Sequence, residues 1–225
     1  MSTKAESIGI APEERTFLLR RLHSLTGIVP IGGFMLFHFF ENSSARHGAE
    51  AFNETVVKIG QMPYIYVLEV FTLILPILFH SIYGLFITSA SRPNVVSYSV
   101  TRNWLYFFQR MSGLVAFAYI FFHIWTTRVW ALFVKKDHIT FGDMQTMLAN
   151  PYVFLFYLIG IAAVTFHFAN GIWGFSITWG LVKTRQGHKR LTVLTLLLFV
   201  VLCIWGFDIA SAFKYGTSFL ARVGI

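Results

Sequence analysis

Cysteine is almost absent from this sequence. Its 225 residues include one, Cys203, which lies in the last long apolar run. A single thiol cannot form an intrachain disulfide, and an iron–sulfur cluster needs about four thiolates. The sequence also lacks a Gly-x-Gly-x-x-Gly fingerprint opening a strand–helix–strand unit. The chain on its own therefore offers no site for a cluster or a dinucleotide.

Charged residues are also scarce, at 12%, whereas 56% of the residues are hydrophobic. Those proportions lie outside the usual range of soluble domains. A hydrocarbon core about 30 Å thick requires about 20 apolar residues per helix, and five runs are long enough. They lie near 23–42, 63–89, 104–130, 152–182 and 191–213. The sequence thus predicts an all-α integral membrane protein with five transmembrane helices.

The apolar runs divide the chain into three parts. We predict a cytoplasmic N-terminal segment at 1–22, a transmembrane domain at 23–213 and a C-terminal tail at 214–225. The basic residues set the orientation, because Lys and Arg concentrate on the cytoplasmic side. With the N-terminus inside, eleven of the 18 Lys and Arg residues are cytoplasmic. They are Lys4, Arg15, Arg20, Arg21, Arg92, Arg102, Arg110, Lys183, Arg185, Lys189 and Arg190.

The net charge of +8 is carried by the connections between the apolar runs. No basic stretch is interleaved with exposed aromatic residues, and the connections are too short to form a groove for a duplex. We therefore predict no binding of nucleic acid. Anionic lipid headgroups and acidic surfaces of partner proteins are the expected contacts.

Four of the apolar runs each contain one histidine within the expected membrane thickness, at His38, His80, His123 and His167. At about 1.5 Å per residue, His38 and His123 lie near the outer ends of their helices, whereas His80 and His167 lie roughly 25 Å from theirs. Two imidazoles at one depth on different helices suit axial ligation of a haem iron. The depths therefore predict a four-helix core with two stacked b haems, one for each histidine pair.

A second interpretation is a proton-coupled transporter with a histidine relay, since ionisable side chains at membrane depth are usually functional. Such a relay usually includes intramembrane carboxylates, and only Glu69 and Asp208 qualify here. His47, His138 and His188 fall in polar connections, and we expect them to be solvated.

Several motifs resemble the type B cytochrome b subunit of succinate dehydrogenase and fumarate reductase. They extend over nearly the whole chain, together with the four spaced histidines. The motifs are FLLRRLHSLTG at 17–27, GAEAFN at 48–53, HSIYG at 80–84, RNW at 102–104, QR at 109–110, HIW at 123–125 and HFANG at 167–171. The resemblance implies that His38 and His123 hold a distal haem, and that His80 and His167 hold a proximal haem.

The resemblance also implies partners. A flavoprotein subunit with covalent FAD and an iron–sulfur subunit would dock on the cytoplasmic face. Electrons would pass between the iron–sulfur subunit, the two haems and a membrane quinone, with menaquinone favoured over ubiquinone. The expected location is the inner (cytoplasmic) membrane of a bacterium. The resemblance leaves open whether the complex forms a higher oligomer. The alternative within electron transfer is a cytochrome b anchor of another quinone-linked dehydrogenase, such as a hydrogenase or formate dehydrogenase.

The resemblance extends to quinone chemistry, which moves two protons with two electrons and therefore needs an acid–base group. Relatives of this type implicate an acidic residue after the first helix in proton release. Spacing back from His80 places that position near Asn53, with Glu50 and Glu54 beside it. Arg128 is a further candidate for the quinone pocket.

We expect five residues at or near the cytoplasmic side to bind the haem propionates. This set is Arg20, Arg21, His23, Ser24 and Arg110. An interfacial helix cap is an equal alternative for His23. The sequence departs from its relatives at Thr178, where one carries a lysine, and at Thr165, where some carry a glutamate that serves a transmembrane proton path. We therefore expect no glutamate proton path in this chain.

Overall fold

The computed structural model describes residues 12–91, 94–222 and 224, and its regular elements are all helical. Five helices are long and apolar enough to cross a membrane, which confirms the predicted fold class. The elements are α1 (Thr16–His47, within a helix that begins at Pro12), α2 (Ala49–Gly60), α3 (Ile65–Ser89), α4 (Thr101–Lys135), α5 (Phe141–Ala149), α6 (Pro151–Thr178), α7 (Arg185–Tyr215) and α8 (Phe219–Arg222). Lys4, Arg92 and half of the predicted segment 1–22 lie outside the described residues, as does the side chain of Arg15.

Local sequence explains where the spans begin. α6 starts with Pro151 behind the capping residue Asn150, whose Oδ1 accepts two backbone N–H groups of the first turn. α7 starts earlier than predicted, because Thr184 caps it by accepting the N–H of Gly187 at 3.0 Å. α3 starts at Ile65, within the apolar run predicted near 63–89.

Pro30 and Pro76 interrupt their spans where a proline is expected to disturb a helix. Pro30 lies in a π-helical turn, Gly27–Gly32, and a second π-helical turn, Glu69–Ile74, ends two residues before Pro76. Proline has no N–H to donate, and its ring clashes with the preceding turn of a regular α-helix. The extra residue in a π-helical turn accommodates this disturbance.

The connections at the end of the bundle predicted to face outward, called the outer end below, contain helices, so their prediction as polar loops was wrong. In 43–62, a 3₁₀ turn (Ser43–His47) leads through Gly48 into α2. Gly48 has a φ of +100°, which glycine adopts without strain. α2 is amphipathic: Phe52 is buried, Val56 packs against the core, and Glu50, Glu54 and Lys58 are exposed.

The second of these connections, 135–150, contains α5. Thr140 Oγ1 accepts the N–H of Asp143, and Asp143 Oδ2 accepts the N–H of Thr140 at 2.8 Å, which is a capping box. Asn53 of α2 accepts the N–H of Phe141 at 2.8 Å. This bond joins the two short helices into one cover over the outer end.

The outer end also holds the main buried core. α6 packs against both α4 and α7, and their apolar side chains meet those of α2 and α5 there. Phe52, Phe141, Leu148, Tyr157 and Phe213 are among the buried members. α3 is peripheral, because none of the residues in its apolar stretch is buried.

A buried carboxylate joins distant parts of the chain at the outer end. Asp208 of α7 is fully buried, and its Oδ2 lies 2.9 Å from Nε of Arg46 in the 3₁₀ turn. Its Oδ1 accepts the N–H of Leu220 in α8 at 2.8 Å. Oδ2 accepts no aligned hydrogen bond, so the contact with Arg46 is mainly electrostatic. Asp208 thereby fixes the end of α1 and the segment after α7 to the bundle.

Asp208→Asn should destabilise the protein, because it removes a buried charge partner of Arg46. Loss of one member of a buried pair costs about 3–5 kcal/mol, and we expect about 2–3 kcal/mol here because Arg46 is partly exposed and screened. Thermal unfolding of the purified complex, followed by tryptophan fluorescence, measures the effect. Glu54→Gln is the control, since Glu54 pairs with Lys58 on an exposed face of α2. Equal melting temperatures for the two variants would contradict the assigned role.

Candidate functional site

The four membrane histidines form two pairs. The rings of His80 and His167 lie 6.1 Å apart, centroid to centroid, with nearly perpendicular planes. The rings of His38 and His123 lie 5.8 Å apart, also edge to face. We call them the inner pair and the outer pair. The structure thus brings together the histidines that helix length assigned to one depth.

His80 of the inner pair is held by the backbone of α1. Its Nδ1 donates to the carbonyl oxygen of His23 at 2.9 Å. Its ring lies against Gly27, where an added Cβ would come within 3.0 Å of Nδ1. His23 and Gly27 are four residues apart and therefore share one face of the helix.

His167 is held in the same way by the backbone of α4. Its Nδ1 donates to the carbonyl oxygen of Gln109 at 2.9 Å. Its ring lies against Gly113, four residues further, where an added Cβ would come within 2.9 Å of Cε1. A carbonyl acceptor followed by a glycine one turn later thus occurs twice, once for each inner histidine.

These bonds fix the tautomer of both inner rings. A carbonyl oxygen only accepts, so the hydrogen must be on Nδ1 and the lone pair on Nε2. A histidine that ligates a metal commonly donates its other ring N–H in this way. Each inner ring is therefore prepared to offer Nε2 to a metal.

The outer pair has different partners. His123 Nδ1 lies 3.2 Å from the Tyr157 hydroxyl, which in turn donates to Met147 Sδ at 3.8 Å, so its oxygen can accept from Nδ1. His38 Nδ1 lies 3.2 Å from Asn42 Nδ2 and 3.5 Å from Glu41 Oε1. The side chain of His38 is 34% exposed, so it lies at the edge of the bundle.

The donor sets fit a haem iron. With metal–nitrogen bonds of about 2 Å, two imidazoles on opposite sides of one metal have centroids about 6 Å apart. Both pairs have nearly this spacing. Among the described residues, no group of three or more His, Cys, Asp or Glu gathers as a metal site. Two protein nitrogens per site suit a metal whose other ligands come from a macrocycle.

Polar groups adjoin the inner pair near the beginning of α1. The His23 ring stacks on the His80 ring, with centroids 4.0 Å apart. Ser24 Oγ donates to the carbonyl oxygen of Arg21 at 2.8 Å and accepts from Trp179 Nε1 at 3.1 Å. Three of the predicted propionate residues, Arg21, His23 and Ser24, thus meet at one end of the bundle.

Two arginines near the inner pair have unpaired buried nitrogens. Arg21 Nη2 donates to the carbonyl oxygen of Thr178, yet its buried Nε has no partner in the described part of the chain. Arg110 lies over the Tyr106 ring and donates to its hydroxyl, while its buried Nη1 is also unpartnered there. Arg20 is exposed. Arg21 and Arg110 therefore have donors to spare for an anion.

Next to the outer pair lies a pocket of about 120 Å³, called the outer pocket below. It lies where α1, α2, α3, α4 and the connection after α4 meet. Its walls combine the apolar residues Val56, Ile59 and Ile65 with Gly60. Its polar side chains are Glu41, Tyr66, Glu69, Arg128 and His138.

The polar groups of the outer pocket are connected to one another and to the outer pair. Arg128 Nη2 donates to Glu69 Oε2 at 2.6 Å and lies over the Tyr66 ring, 5.6 Å from its centroid. Glu41 contacts His38 through Oε1, and its buried Oε2 has no partner among the residues described. Glu69 and Arg128 both lie on π-helical turns, which are frequent at functional sites.

The residues predicted for quinone chemistry divide into two groups. Arg128 lines the outer pocket. Glu50 is exposed on α2, Glu54 forms a surface ion pair with Lys58, and Asn53 caps α5 through Phe141. Hydrogen bonding to Lys58 lowers the pKa of Glu54. None of these three α2 residues is among those that line the outer pocket.

The structure places three further residues named in the sequence analysis, and one of them, His188, differs from its prediction. His138 was expected to be solvated, and it is exposed but also lines the outer pocket. His188 lies in α7, not in a loop, with Nε2 3.1 Å from the carbonyl oxygen of Val182. Thr165 is fully buried and donates to the carbonyl oxygen of Ile161 at 2.7 Å.

Sequence reasoning missed Glu41, Tyr66 and Glu69 as pocket residues. One signal was present, because Glu69 is a carboxylate inside an apolar run, and such groups are functional by default. The other two were not marked by any motif. Glu41, Tyr66 and Glu69 come together in one pocket because α2 is a helix that leads toward α3.

Comparison with known proteins agrees with these features. Residues 90–206 match the family described as succinate dehydrogenase/fumarate reductase transmembrane subunit. The succinate dehydrogenase cytochrome b558 subunit of Bacillus subtilis (strain 168) is 37% identical over 199 residues, which cover 88% of this chain and 98% of that protein. Both similarities include helices α4 and α6, which carry His123 and His167. The chain therefore belongs to the succinate dehydrogenase/fumarate reductase transmembrane subunit family.

Proposed function

We propose that this chain holds two b haems and a quinone, and that it passes electrons between the iron–sulfur subunit of its complex and that quinone. The observation that carries the proposal is the arrangement of four imidazoles in two pairs, with ring centroids 5.8 and 6.1 Å apart. A bound haem supplies reversible one-electron transfer through its iron. The protein supplies the ligands, their orientation and the surrounding charges.

The inner pair would ligate the proximal haem through Nε2, because Nδ1 of each ring is committed to a backbone carbonyl. The outer pair would ligate the distal haem. There Tyr157 can orient His123 by accepting from its Nδ1. Gly27 and Gly113 leave room for the inner rings to lie against the neighbouring backbones. Ligands held in this way need little rearrangement when a haem binds.

Arg21 and Arg110 would bind the propionates of the proximal haem. Their buried, unpartnered nitrogens are the support for this assignment. Arg21 donates to the backbone at Thr178, the position where a relative carries a lysine, so its guanidinium supplies a positive charge near that place. Ser24 and the stacked His23 ring line the same end of the bundle. Arg20, which is exposed, would contribute through longer-range charge.

The quinone would bind in the outer pocket, beside the distal haem. Quinone reduction adds two electrons and two protons, and quinol oxidation releases them. Glu69 would exchange a proton with a quinone oxygen, and Arg128 would hold that carboxylate in place. Glu41 Oε2, buried and unpartnered, supports a hydrogen bond from a quinol hydroxyl. The apolar side chains Val56, Ile59 and Ile65 suit the quinone ring.

Family membership makes this chain the membrane anchor of a complex with catalytic partner subunits. We assign FAD to a flavoprotein partner and the clusters to an iron–sulfur partner. Both would dock at the end of the bundle where α1 begins, nearest the inner pair. The chain is a multi-pass membrane protein, and we assign it to the cytoplasmic membrane of a bacterium, with menaquinone as the preferred quinone.

The rival interpretations receive less support. The family assignment favours succinate dehydrogenase or fumarate reductase over the anchor of another dehydrogenase. A histidine-relay transporter needs carboxylates that are free to take part. Of the two intramembrane carboxylates, Asp208 is engaged by Arg46 and Leu220, which leaves Glu69 alone for such a relay.

Gly27→Ala should cost the protein one of its two haems. The added Cβ would meet the His80 ring, whereas at Gly33 a Cβ meets nothing within 4 Å. Pyridine-haemochrome assay of the purified complex should therefore show less haem in Gly27→Ala than in Gly33→Ala. The haem lost should be the one that is lost in His80→Ala, as judged by the reduced-minus-oxidised spectrum. Full haem content in both His80→Ala and Gly27→Ala would refute the ligand assignment.

Glu69→Gln should lower quinone-linked succinate oxidation by about 10²-fold, the usual contribution of one acid–base group. Succinate oxidation with a soluble dye as acceptor should be unchanged, because the dye accepts electrons before they reach this chain. Glu54→Gln is the matched control on α2. The assignment of the outer pocket is wrong if the two variants reduce quinone equally fast.

A further inference from the structure

His138 lies where the outer pocket meets the outside of the bundle. It belongs to the connection between α4 and α5, outside all five candidate spans. Its side chain is exposed, yet it lines the outer pocket together with Tyr66, Glu69 and Arg128. His138 therefore has one side toward the pocket and another toward water.

The position of His138 is fixed by several contacts. Its carbonyl oxygen accepts from Lys135 Nζ at 2.8 Å, and its N–H donates to Asp137 Oδ1 at 2.7 Å. Its ring lies against Gly60, the last residue of α2, where a Cβ would come within 2.5 Å of Cε1 and 3.2 Å of Nδ1. Alanine would favour a helix more than glycine does, so helix formation does not require glycine at position 60. The lack of a side chain at Gly60 leaves room for the imidazole of His138.

The charged groups around His138 are largely paired with one another. Glu69 of α3 pairs with Arg128 of α4. Lys135 at the end of α4 pairs with Asp143 of α5. Lys58 of α2 pairs with Glu54, and Glu41 of α1 lies in the pocket near His38. Asp137 is exposed and bonded to the backbone of His138 itself. Of the titratable side chains that line the pocket, His138 and Tyr66 are exposed within the described chain, and of these two His138 lies outside the five candidate spans.

We propose that His138 carries protons between the outer pocket and the water outside. The proposal rests on the proposed function, in which the pocket binds quinone. When quinone is reduced, two electrons arrive through this chain and two protons must come from water. Protonated His138 gives one proton to the pocket, by way of Glu69, and regains a proton from outside before the second transfer. When quinol is oxidised, the two protons leave by the reverse route.

The chemistry of the side chain suits this role. An imidazole has two ring nitrogens, so it can take up a proton on one side and release one on the other. Glu69 alone is half-buried and tied to Arg128, so a partner at the rim gives it access to bulk protons. The route opens at the outer end, so protons would exchange on that side of the membrane.

Turnover of the purified complex with succinate and a soluble quinone analogue tests the proposal, measured across neutral pH. His138→Gln should lower kcat by roughly tenfold and flatten its pH dependence, because a relay group has been removed while water remains. The KM for the quinone should not change. Added imidazole should restore part of the lost rate. Gly60→Ala keeps the imidazole but displaces it, and should reproduce part of the defect.

His47→Gln is the matched control. His47 is exposed in the 3₁₀ turn at the outer end and is not among the residues lining the pocket. His47→Gln should have the same kcat and pH dependence as the unmodified protein. Dye-linked succinate oxidation should be unchanged in every variant.

Two results would overturn the inference while leaving the proposed function intact. One is an unaltered pH profile in His138→Gln while Glu69→Gln is nearly inactive. The other is a raised KM with unchanged kcat, which would make His138 a binding residue only. If Glu69→Gln also retains full quinone-linked turnover, the outer pocket is not the quinone site, and the inference fails together with that part of the proposed function.

Discussion

An imidazole within a membrane bundle must satisfy its N–H without water, and the inner histidines do so on the backbones of neighbouring helices. His80 ties α3 to α1, and His167 ties α6 to α4. Each bond requires close approach of two helices, which Gly27 and Gly113 permit. Since α3 buries no residue of its apolar stretch, the His80 bond and the Glu69–Arg128 pair fix it at two heights. The arrangement of the helices thus depends on the same bonds that orient the proposed ligands.

The two histidine pairs differ in what surrounds them. The inner rings donate to carbonyl oxygens, and arginines lie nearby. In the outer pair, Tyr157 lies beside His123, while Asn42 and Glu41 lie beside His38. Hydrogen-bond partners of a ligand alter its basicity, and charge near a haem alters its potential. The proposed haem sites therefore have unequal environments.

Much of the bundle could be predicted from the sequence, because hydrophobic length and helix rise alone give the spans and the depth of each histidine. The hydrogen-bond partners of the inner rings could not be predicted. They are backbone carbonyl oxygens, and their distance from the rings depends on how each helix is rotated about its axis. α2 was missed for another reason. Its polar residues Glu50, Asn53 and Glu54 suggest a loop, and only the spacing of Phe52, Val56 and Ile59 on one face indicates a helix.

That missed helix also explains why the predicted quinone residues differ from those lining the outer pocket. Once 49–60 is helical, Asn53 points to α5 and Glu54 to Lys58, while Gly60 lies beside His138. The capping box of Thr140 and Asp143 was the corresponding signal for α5. Both short helices position the connection that carries His138.

The partners of Asp208 bear on the order in which the protein is made. Arg46 is synthesised and inserted early, Asp208 near the end, and Leu220 later still. A carboxylate in a span is costly until its charge and lone pairs are matched. During synthesis on the ribosome, the last span therefore becomes fully satisfied only after the residues of α8 have been added. The outer end therefore matures only after the five described spans have been synthesised.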